Sequence, residues 1–380
     1  MNICRIGITG SQGFIGTHLT NTLRLKPDVY KCIDFKDEFF DNIDLLDNFI
    51  QNCDIVIHLA GLNRHTDQKV LFEINIALVK KIIDSCRRTH SKPYIIFSSS
   101  IQEDSRNLYG DSKKIGRLMF EEWSTENNSA FTGLIIPNVF GPFGLPNYNS
   151  VIATFCHQLT HGVNPKIHTD SKLSLIYVSQ LIEEIIKRIE NYSRDNTISI
   201  KSYDRVEPTY SITVSDLLKQ LTYFRNIYFS EGMIPDISDD FSKNLFNTFH
   251  PYINFDKFFP FELKMHSDDR GSFSELIKIS SGGQVSFSIT KPGVTRGNHF
   301  HTRKAERFAV IKGKALISIR RIGTSNILSF LLDGRSPSFV DMPIWYTHNI
   351  CNIGAEDLYT VFWISEHFEE KNPDTYFEIV

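Results

Sequence analysis

The sequence predicts an α/β domain with a doubly wound parallel sheet, followed by an all-β domain of antiparallel strands. Two observations support this fold class. Up to about residue 240, short apolar runs alternate with segments that carry apolar residues at helical spacing, which is the pattern of a parallel sheet with helices on both faces. From about residue 262, short alternating strand patterns broken by glycine follow one another, as in an antiparallel barrel or double sheet.

Composition supports a globular protein and excludes several function classes. The chain has 380 residues, of which 41% are hydrophobic and 22% are charged, and this length suggests about two or three domains. A formal net charge of -3 offers no bulk attraction for nucleic acid or anionic lipid. The six scattered cysteines are typical of reduced thiols, and no apolar run is long enough to cross a membrane. We therefore expect a cytoplasmic protein with no nucleic-acid and no membrane partner.

The spacing of the apolar residues predicts the individual strands and helices. In the first half, the predicted strands are RIGITG, VYKCID, DIVIHLAG, YIIFSSS and FTGLIIPN, and helices are predicted within FIGTHLTNTLRL and LFEINIALVKKIIDSC. In the second half, the predicted strands are FSELIKI, QVSFSIT, RFAVIKG, KALISIRRI, ILSFLLDG, SFVDMP and LYTVFWIS. The join is expected within the aromatic stretch LFNTFHPYINFDKFFPFELKM. These limits predict one domain over residues 1–250 and another over residues 260–380.

A glycine-rich loop, GITGSQGFIG, lies between the first predicted strand and the first predicted helix. Gly10, Gly13 and Gly16 allow the backbone to approach a pyrophosphate, and the start of the helix presents N–H groups and a positive dipole end to it. Asp34, at the end of the second strand, can accept hydrogen bonds from a ribose 2′-hydroxyl and so favours NADH. Lys36 can favour NADPH instead, so the sequence leaves the choice between NAD(H) and NADP(H) open.

A candidate catalytic set follows the strand YIIFSSS. Tyr109 and Lys113 are four residues apart in NLYGDSKKIG, so they lie on one face of a helix, where the ammonium is expected to lower the pKa of the phenol. A phenol of lowered pKa gives a proton more readily to a carbonyl oxygen that accepts a hydride, and Ser100 can donate a hydrogen bond to that oxygen. A Tyr/Lys pair of this spacing is common on helix surfaces, but the glycine loop and the serine strand end favour the catalytic interpretation.

A candidate metal site lies in NHFHTRKAERFAVIKG and in PIWYTHNICN. His299 and His301 point to one face of a strand, and the turn over residues 302–305 allows Glu306 to return to that face. His348 supplies a fourth ligand from another strand. Three imidazoles and one carboxylate suit a divalent ion such as zinc, iron, nickel or manganese. Gly313 is expected to close a hairpin after Glu306.

The first half resembles the extended short-chain dehydrogenase/reductase family, which has a Rossmann-like fold and acts on nucleotide sugars. The matching residues are Thr9 to Gly16, Ser100, Tyr109 and Lys113, with HLAG at residues 58–61 as the strand end that lines the cofactor. The resemblance implies a nicotinamide cofactor contacted by these residues: Gly10, Gly13, Phe14, Ile15, Gly16, Asp34, Leu59, Ala60, Gly61, Tyr109 and Lys113. Two departures are a short interval between Ser100 and Tyr109 and the absence of an arginine before Pro137.

The second half resembles the cupin family, whose fold is a β-barrel (jelly roll). The pattern G(x)5HxH(x)4E(x)6G fits residues 293–313 without a mismatch, and PxG(x)2H(x)3N fits residues 343–352 except that Trp345 replaces the glycine. The resemblance supports one divalent metal ion, with zinc as the expected ion, held by His299, His301, Glu306 and His348.

The order of the two halves resembles the CapF/WbjC type of bifunctional UDP-sugar enzymes in capsule and O-antigen biosynthesis. Matching segments are LYGDSKKIG, PNYNSVIATFC, DDRGSF, SITKPGVTRGNHFH, YTHNI and PDTYFEIV. The resemblance implies C3 epimerisation of UDP-2-acetamido-2,6-dideoxy-hexos-4-ulose in the cupin, then NAD(P)H-dependent reduction at C4 in the first domain, toward UDP-N-acetyl-L-fucosamine. It also implies a homodimer.

Several alternatives stay open at this point. Asn138, Asn147, Tyr148 and Asn149 are candidate residues for the UDP-linked sugar, although such a loop equally suits a simple turn. Tyr346 and Lys291 can carry protons near the metal motifs, but each equally suits packing or solvent contact. The cupin could be only structural or dimer-forming, or the chain could be a sensor that holds a dinucleotide without turnover.

Overall fold

A computed structural model describes residues 3–195, 199–268, 271–274, 276–277, 279, 282–366 and 369–380. Strands and helices alternate along the first part of the chain. In order, these elements are β1 Cys4–Thr9, α1 Phe14–Arg24, β2 Tyr30–Ile33, α2 Ile43–Gln51, β3 Ile55–His58, α3 Gln68–Thr89, β4 Tyr94–Ser100, α4 Leu108–Asn127, β5 Phe131–Ile136, β6 Asn138–Phe140, α5 Val151–Thr160, β7 Lys172–Tyr177, α6 Val178–Asp195, β8 Ile200–Arg205, β9 Tyr210–Thr213 and α7 Val214–Glu231.

Strands dominate the second part of the chain after two further helices. These elements are α8 Asp240–Phe249, α9 Phe255–Phe258, β10 Phe261–Glu262, β11 Met265–Asp268, β12 Gly271–Ser274, β13 Gln284–Thr290, β14 Thr295–Phe300, β15 Glu306–Lys312, β16 Lys314–Arg321, β17 Ile327–Asp333, β18 Ser338–Met342, β19 Tyr346–Asn352, β20 Leu358–Ile364 and β21 Tyr376–Phe377. Short 3₁₀ helices occupy Asp37–Asp41, Ile101–Asp104 and His250–Tyr252.

The contacts of the chain group it into two compact units. One unit contains residues 1–151 and 171–213, and the other contains residues 152–170 and 214–380. The domain limits expected from the sequence, residues 1–250 and 260–380, stay a prediction. We call the first compact unit the N-terminal unit and the second the C-terminal unit.

The N-terminal unit is built on a parallel sheet. Among the described residues, its six strands lie in the order β2-β1-β3-β4-β5-β8, and all five strand pairs are parallel. Since β1 pairs with β2 on one side and β3 on the other, the strand order reverses at β1. In open parallel sheets, ligands bind at the carboxyl ends of the strands that flank such a reversal. The predicted doubly wound fold is confirmed.

Apolar side chains on both faces of this sheet explain its helical layers. On one face, Ile6, Ile8 and Ile57 pack with Leu19 of α1 and Leu181 of α6. On the opposite face, alternate strand residues join α2, α3 and α4 in a second core that includes Val56, Phe97, Phe49, Val79 and Phe120. Strands buried on both faces must be apolar at nearly every position, which is why IVIH and YIIF read as continuous apolar runs.

The C-terminal unit contains two antiparallel sheets that correspond to a cupin-like barrel. The described strands lie in the orders β10-β18-β15-β20-β13 and β17-β16-β19-β14-β21. Five side chains of these strands have no exposed surface: Ala309, Ile317, Ile319, Phe339 and Val340. The predicted all-β character of this half is confirmed for the strands from β10 onward.

Three details differ from the sequence-based expectation or lie outside it. The join expected within residues 245–265 is largely helical, since α8, a 3₁₀ helix and α9 occupy residues 240–258. Gly313 does not close a hairpin, because β15 pairs with β18 and β20 whereas β16 pairs with β17 and β19; it turns the chain from one sheet to the other at a φ of 88°. The predicted strand FSELIKI falls partly outside the described residues. In the described part of the chain, no helix is both long and apolar enough to span a membrane.

Candidate functional site

The glycine loop after β1 has the close backbone packing expected for a phosphate-binding loop. Gly10 has a φ of 70°, and a Cβ there would lie 2.8 Å from the backbone nitrogen of Ala60. A Cβ on Gly16 would overlap the carbonyl oxygen of Gly10. Gly13 directly precedes α1, which begins at Phe14 and Ile15. The loop therefore brings backbone N–H groups and a helix N-terminus to the carboxyl end of β1, where an anionic ligand would be stabilised.

The end of β3 is fixed against this loop by a buried hydrogen-bond set. The hydroxyl of Thr9 lies 2.7 Å from Nδ1 of His58 and accepts a hydrogen bond of 3.3 Å from the backbone N–H of Ala60. The N–H of Leu59 donates to the carbonyl of Thr9 over 3.2 Å. The structure thus brings Leu59, Ala60 and Gly61 to the glycine loop, as the sequence predicted.

Asp34 lies just beyond β2, the strand next to β1. Its side chain is 94% exposed and lies 3.9 Å from the guanidinium of Arg24. Lys36 is also exposed, and its ammonium lies 3.5 Å from Glu38. Both residues stand at the carboxyl end of the sheet with their charges in solvent, so the geometry leaves the choice between the two nicotinamide dinucleotides open.

Ser100, Tyr109 and Lys113 converge at the carboxyl end of β4. The Ser100 side chain lies close enough to the Tyr109 phenol to act on its pKa, and Nζ of Lys113 lies 5.9 Å from the centre of the Tyr109 ring. The buried ammonium donates to the carbonyl of Ser98 over 3.0 Å. A Cβ built on Gly61 would lie 3.5 Å from that ammonium. The predicted catalytic set therefore meets the predicted cofactor loop.

Burial dominates the electrostatics of these groups. It raises the pKa of Tyr109 to about 12, although the hydrogen bond with Ser100 acts in the opposite direction. Burial also lowers the pKa of Lys113 to about 8, against the attraction of Glu103. The sequence argument expected Lys113 to lower the pKa of the phenol. That expectation is wrong: in the structure the loss of solvent raises the pKa of the phenol, so Tyr109 keeps its proton and can donate it.

The short interval between Ser100 and Tyr109 is accommodated by the 3₁₀ helix Ile101–Asp104. Its Glu103 forms a buried ion pair of 2.7 Å with Arg117 of α4 and a hydrogen bond with Ser99. Gly110 allows α4 to begin directly against this helix, because a Cβ there would overlap the carbonyl oxygen of Gln102. The sequence analysis missed Glu103, Arg117 and Gly110, whose roles depend on contacts between elements.

The candidate substrate residues lie on a loop at the same end of the sheet. Arg64, which the sequence analysis did not single out, donates to the carbonyl of Tyr148 over 2.8 Å and to that of Asn147 over 3.4 Å. The phenol of Tyr148 is near enough to contribute to the raised pKa of Tyr109. Asn138 and Asn149 are exposed. The structure thus brings Tyr148 toward the catalytic set and places Asn138 in β6, which belongs to a separate sheet.

The predicted metal ligands form one cluster in the C-terminal unit. One potential ligand atom from each of His299, His301, Glu306 and His348 lies within 4.8 Å of the others. His299 and His348 face each other across the pair β14 and β19, and Glu306 begins β15. A carboxylate oxygen of Glu306 lies 3.2 Å from Nε2 of His301 and 2.9 Å from Nε2 of His348.

The polar atoms of this cluster fit a bound cation. Nε2 of His301, Nε2 of His348 and Oε2 of Glu306 are buried and form no well-oriented hydrogen bond with the described residues. Such orphaned donors and acceptors are costly unless a ligand satisfies them. Burial would raise the pKa of Glu306, but the neighbouring imidazoles lower it. Burial lowers the pKa of His299 to about 4. Burial also acts to lower the pKa of His301, but the contact with Glu306 raises it above its usual value, so the additional proton would have to leave when an ion binds. A carboxylate and neutral imidazoles are the forms that bind zinc-class ions.

Trp345 adopts the backbone conformation of the glycine that it replaces in the cupin motif. Its φ is 63°, a left-handed conformation that costs a non-glycine residue roughly 1–2 kcal/mol. The backbone N–H of Trp345 donates to the carbonyl of His301 over 2.7 Å, and the backbone N–H of Ile322 donates to the carbonyl of Trp345 over 2.9 Å. Its indole is 7% exposed and stacks on Phe300. Packing therefore keeps the turn that precedes His348.

The two candidate acid/base residues occupy different environments. Lys291 is 75% exposed and forms an ion pair of 2.8 Å with Asp357, which suits a surface residue. Tyr346 is half-buried, packs against Phe255 and has a pKa raised by burial. Neither contact favours a role as acid or base over a structural role.

Models of known protein families match both parts of the chain. A model of the NAD dependent epimerase/dehydratase family matches residues 6–200, just over half of the chain. The chain belongs to this NAD dependent epimerase/dehydratase family. A second model, described as the polysaccharide biosynthesis C-terminal domain, matches residues 266–376 of this family member.

Two relatives match this family member over nearly its whole length. It is 31% identical over 373 residues to the UDP-2-acetamido-2,6-beta-L-arabino-hexul-4-ose reductase of Pseudomonas aeruginosa, and the match covers 98% of either chain. It is 33% identical to the capsular polysaccharide assembling protein CapF of Staphylococcus aureus, with a TM-score of 0.62 over 99% of this chain and 100% of that one. The NADPH complex of RMD from Pseudomonas aeruginosa, at 16% identity over 59% of this chain and 82% of that one, has a TM-score of 0.51, which shows a shared fold.

Proposed function

We propose that the protein is a bifunctional nucleotide-sugar enzyme. Its substrate is UDP-2-acetamido-2,6-dideoxy-hexos-4-ulose, its C-terminal unit inverts C3, and its N-terminal unit reduces the C4 ketone with NAD(P)H. The product lies on the way to UDP-N-acetyl-L-fucosamine for capsule or O-antigen polysaccharide. One observation carries the proposal: a Ser/Tyr/Lys reductase set and a His₃Glu cluster occur in one chain that matches a UDP-sugar ketone reductase from end to end.

The reduction follows from the geometry around Tyr109. The nicotinamide, when bound to the glycine loop, supplies the hydride that attacks C4. The Ser100 hydroxyl is close enough to the Tyr109 phenol to lower its pKa against the effect of burial, so both hydroxyls would reach one ketone oxygen. Tyr109 then gives its proton to the oxygen as negative charge develops there, and the ammonium of Lys113, 5.9 Å from the ring centre, stabilises the phenolate that remains.

The epimerisation uses the acidity of C3. A ketone at C4 makes the C3 hydrogen acidic, and a divalent ion, when held by the cluster, supplies positive charge that stabilises the enolate. His301, Glu306 and His348 would hold that ion, since they carry the orphaned buried atoms. His299, the least buried of the four residues, would complete the ligand set. Return of the proton to the opposite face of C3 completes the inversion.

One functional group serves both reactions. The C4 ketone first activates the neighbouring C3–H bond and then accepts the hydride, so epimerisation must precede reduction. Once C4 carries a hydroxyl, the C3 hydrogen is no longer acidic. This dependence is a chemical reason for both sites to occur in one chain.

Further assignments belong to the same proposal. Tyr148, with Asn147 and Asn149 of the same loop and Asn138, would contact the sugar or the uracil. Zinc is the proposed ion, and the protein is proposed to be a cytoplasmic homodimer. The reduction would use either NADH or NADPH according to the balance between Asp34 and Lys36.

Two variants test the division of labour. Tyr109→Phe removes the proton donor, so we expect it to abolish NAD(P)H oxidation while C3–H exchange with deuterated water continues. His348→Ala removes a metal ligand, so we expect loss of C3–H exchange, while NAD(P)H oxidation continues with substrate that has already been epimerised. The absorbance of NAD(P)H and the C3 proton signal in NMR report the two activities.

The opposite outcomes identify the alternatives. If the wild-type protein contains no metal and shows no C3–H exchange but still oxidises NAD(P)H with the 4-keto substrate, the cupin is structural and the protein is a reductase only. If wild-type protein binds the dinucleotide but oxidises none with any UDP-4-keto sugar, the enzyme proposal itself fails in favour of a sensor.

A further inference from the structure

Residues 372–380 lie against β14, the strand that carries His299 and ends directly before His301. Strand β21 pairs with β14, with His299 opposite Phe377 and Phe300 opposite Tyr376. The N–H of Glu378 donates to the carbonyl of Asn298 over 2.9 Å. We call residues 372–380 the docked segment.

The most buried residue of this segment is Asp374, which is 2% exposed. Its carboxylate accepts four hydrogen bonds from the turn that connects His301 to Glu306. Oδ1 accepts from the N–H of Thr302 over 3.1 Å and from its hydroxyl over 2.6 Å. Oδ2 accepts from the N–H of Arg303 over 3.0 Å and from that of Lys304 over 3.2 Å. One carboxylate thus organises the backbone between two candidate ligands.

The backbone of Asp374 contacts a ligand directly. Its carbonyl oxygen is hydrogen-bonded to Nδ1 of His301. A carbonyl can only accept, so Nδ1 carries the proton, and Nε2 of His301 presents its lone pair to the cluster. The φ of Asp374 is 46°, a left-handed conformation that a β-carbon makes unfavourable. The carboxylate hydrogen bonds stabilise the backbone conformation that aims this carbonyl at His301.

Neighbouring contacts anchor the same turn. The ammonium of Lys304 donates to the carbonyl of Pro373 over 3.0 Å. The guanidinium of Arg303 donates to the carbonyl of Asn372 over 3.0 Å. The docked segment therefore contacts each residue from His301 to Lys304, about seventy positions earlier in the sequence.

We propose that Asp374 is the positioning residue of the metal centre: it fixes the tautomer of His301 and holds the turn that brings Glu306 to the ion. This inference rests on the proposed metal site and deepens it. Partners that orient a metal-bound histidine typically contribute 10–100-fold to metal affinity. Asp374 touches no ion itself, so its effect must appear in how tightly and in what geometry the ion is held.

The test compares Asp374→Ala with wild-type protein in two measurements that do not require activity. Zinc affinity is measured by competition with a chromogenic chelator, and ligand geometry is read from the visible absorption spectrum of the cobalt(II)-substituted protein. We expect Asp374→Ala to weaken zinc binding by about 10–100-fold and to change the cobalt spectrum. If Ala prevents folding, Asp374→Asn, which keeps one acceptor oxygen for Thr302, is expected to show a smaller change of the same kind.

Asp333→Ala is the matched control. Its carboxylate also caps a turn, accepting from the N–H of Arg335 over 3.0 Å. Asp333 is distant from the candidate ligands. It pairs with Lys314 at the start of β16, whereas His348 pairs with Ile319 near the end of the same strand. We expect zinc affinity and the cobalt spectrum of this variant to match wild type.

Two results would overturn the inference in distinguishable ways. Wild-type affinity and an unchanged cobalt spectrum in Asp374→Ala would show that Asp374 is only a structural residue, while the metal site itself stands. If the wild-type protein binds neither zinc nor cobalt, the proposed metal centre fails, and the role of Asp374 fails with it.

Discussion

Lys113 is a buried lysine whose charge depends on pH near neutrality. Burial lowers its pKa to about 8, so the ammonium is present below that pH and is lost as the pH rises through it. Tyr109, with a pKa raised to about 12, stays protonated over the same range. Of these two groups, Lys113 is the one expected to set the upper pH limit of the reductase.

We predict that kcat/KM for ketone reduction falls as the pH rises through about 8 in the wild-type enzyme. The ammonium stabilises the phenolate formed on Tyr109, and that stabilisation disappears with its proton. The measurement is the pH profile of kcat/KM for NAD(P)H oxidation. Lys113→Arg, which stays charged, should be slower but should lack this descending limb. The same limb in Lys113→Arg would contradict the assignment.

The ion pair of Glu103 and Arg117 gives a second prediction for single residues. Their side chains are 2% and 8% exposed, so Arg117→Met leaves an unpaired carboxylate in a buried site. We expect a loss of about 3–5 kcal/mol in the free energy of unfolding, measured by urea denaturation.

Arg87→Met provides the control for Arg117→Met. Arg87 also bridges two helices through a carboxylate, that of Glu126, but both side chains are about half exposed, at 55% and 53%. Exposed pairs contribute at most about 1 kcal/mol. Equal losses in the two variants would show that burial of the Glu103 pair has no energetic importance.

Residue identity alone indicated part of the two sites. The glycines, Tyr109, Lys113 and the four candidate ligands stood out because binding a phosphate, transferring a proton or holding a metal ion requires these residue types at this spacing. Asp374 and Glu103 did not stand out, because one acts through its backbone carbonyl and the other through an arginine fourteen positions away. Contacts of this kind leave no periodic pattern in a sequence.

The meeting of the 3₁₀ helix Ile101–Asp104 with α4 determines where Tyr109 stands. Gly110 is the residue at which the two elements touch, since any Cβ there would overlap Gln102. Ser100 and Asn107 cap the two helices through side-chain hydrogen bonds. The distance between Ser100 and Tyr109 therefore depends on the absence of a side chain at one position.

We predict that Gly110→Ala lowers kcat for ketone reduction by about 10²-fold. The added methyl group must move the start of α4, and a displacement of about 1 Å in a catalytic group has an effect of this size. Gly282→Ala is the control, since a Cβ there has nothing within 4 Å. Steady-state kinetics of NAD(P)H oxidation decide the result, and a kcat unchanged by Gly110→Ala would contradict the packing argument.

Among the secondary-structure elements, the strands were easier to predict from sequence than the segments that connect them. The five strands predicted in the first half all exist, because strands buried on both faces must be apolar throughout. The helical join over residues 240–258 was missed, because its Asn and Pro residues indicated a linker, although Leu245, Phe246 and Phe249 of α8 are buried at helical spacing. Gly313 was misread because local sequence does not show whether a turn joins neighbours in one sheet or two different sheets.

The proposed function combines, in one molecule, two kinds of chemistry that need different scaffolds. A dinucleotide is held by a loop at the end of a parallel sheet, whereas three histidines and a glutamate converge from the strands of a barrel. Each unit supplies one of these scaffolds. Full-length similarity to a UDP-sugar reductase and to CapF supports the view that the two chemistries act on one substrate.

NMR of the product formed in deuterated water tests this view most directly. Purified wild-type protein is incubated with UDP-2-acetamido-2,6-dideoxy-hexos-4-ulose, with and without NAD(P)H. Without the nicotinamide, we predict deuterium at C3 and an intact ketone at C4. With it, we predict deuterium at C3 with inverted configuration and a hydrogen from the nicotinamide at C4. A reduced product that keeps its original C3 hydrogen and configuration would contradict the account.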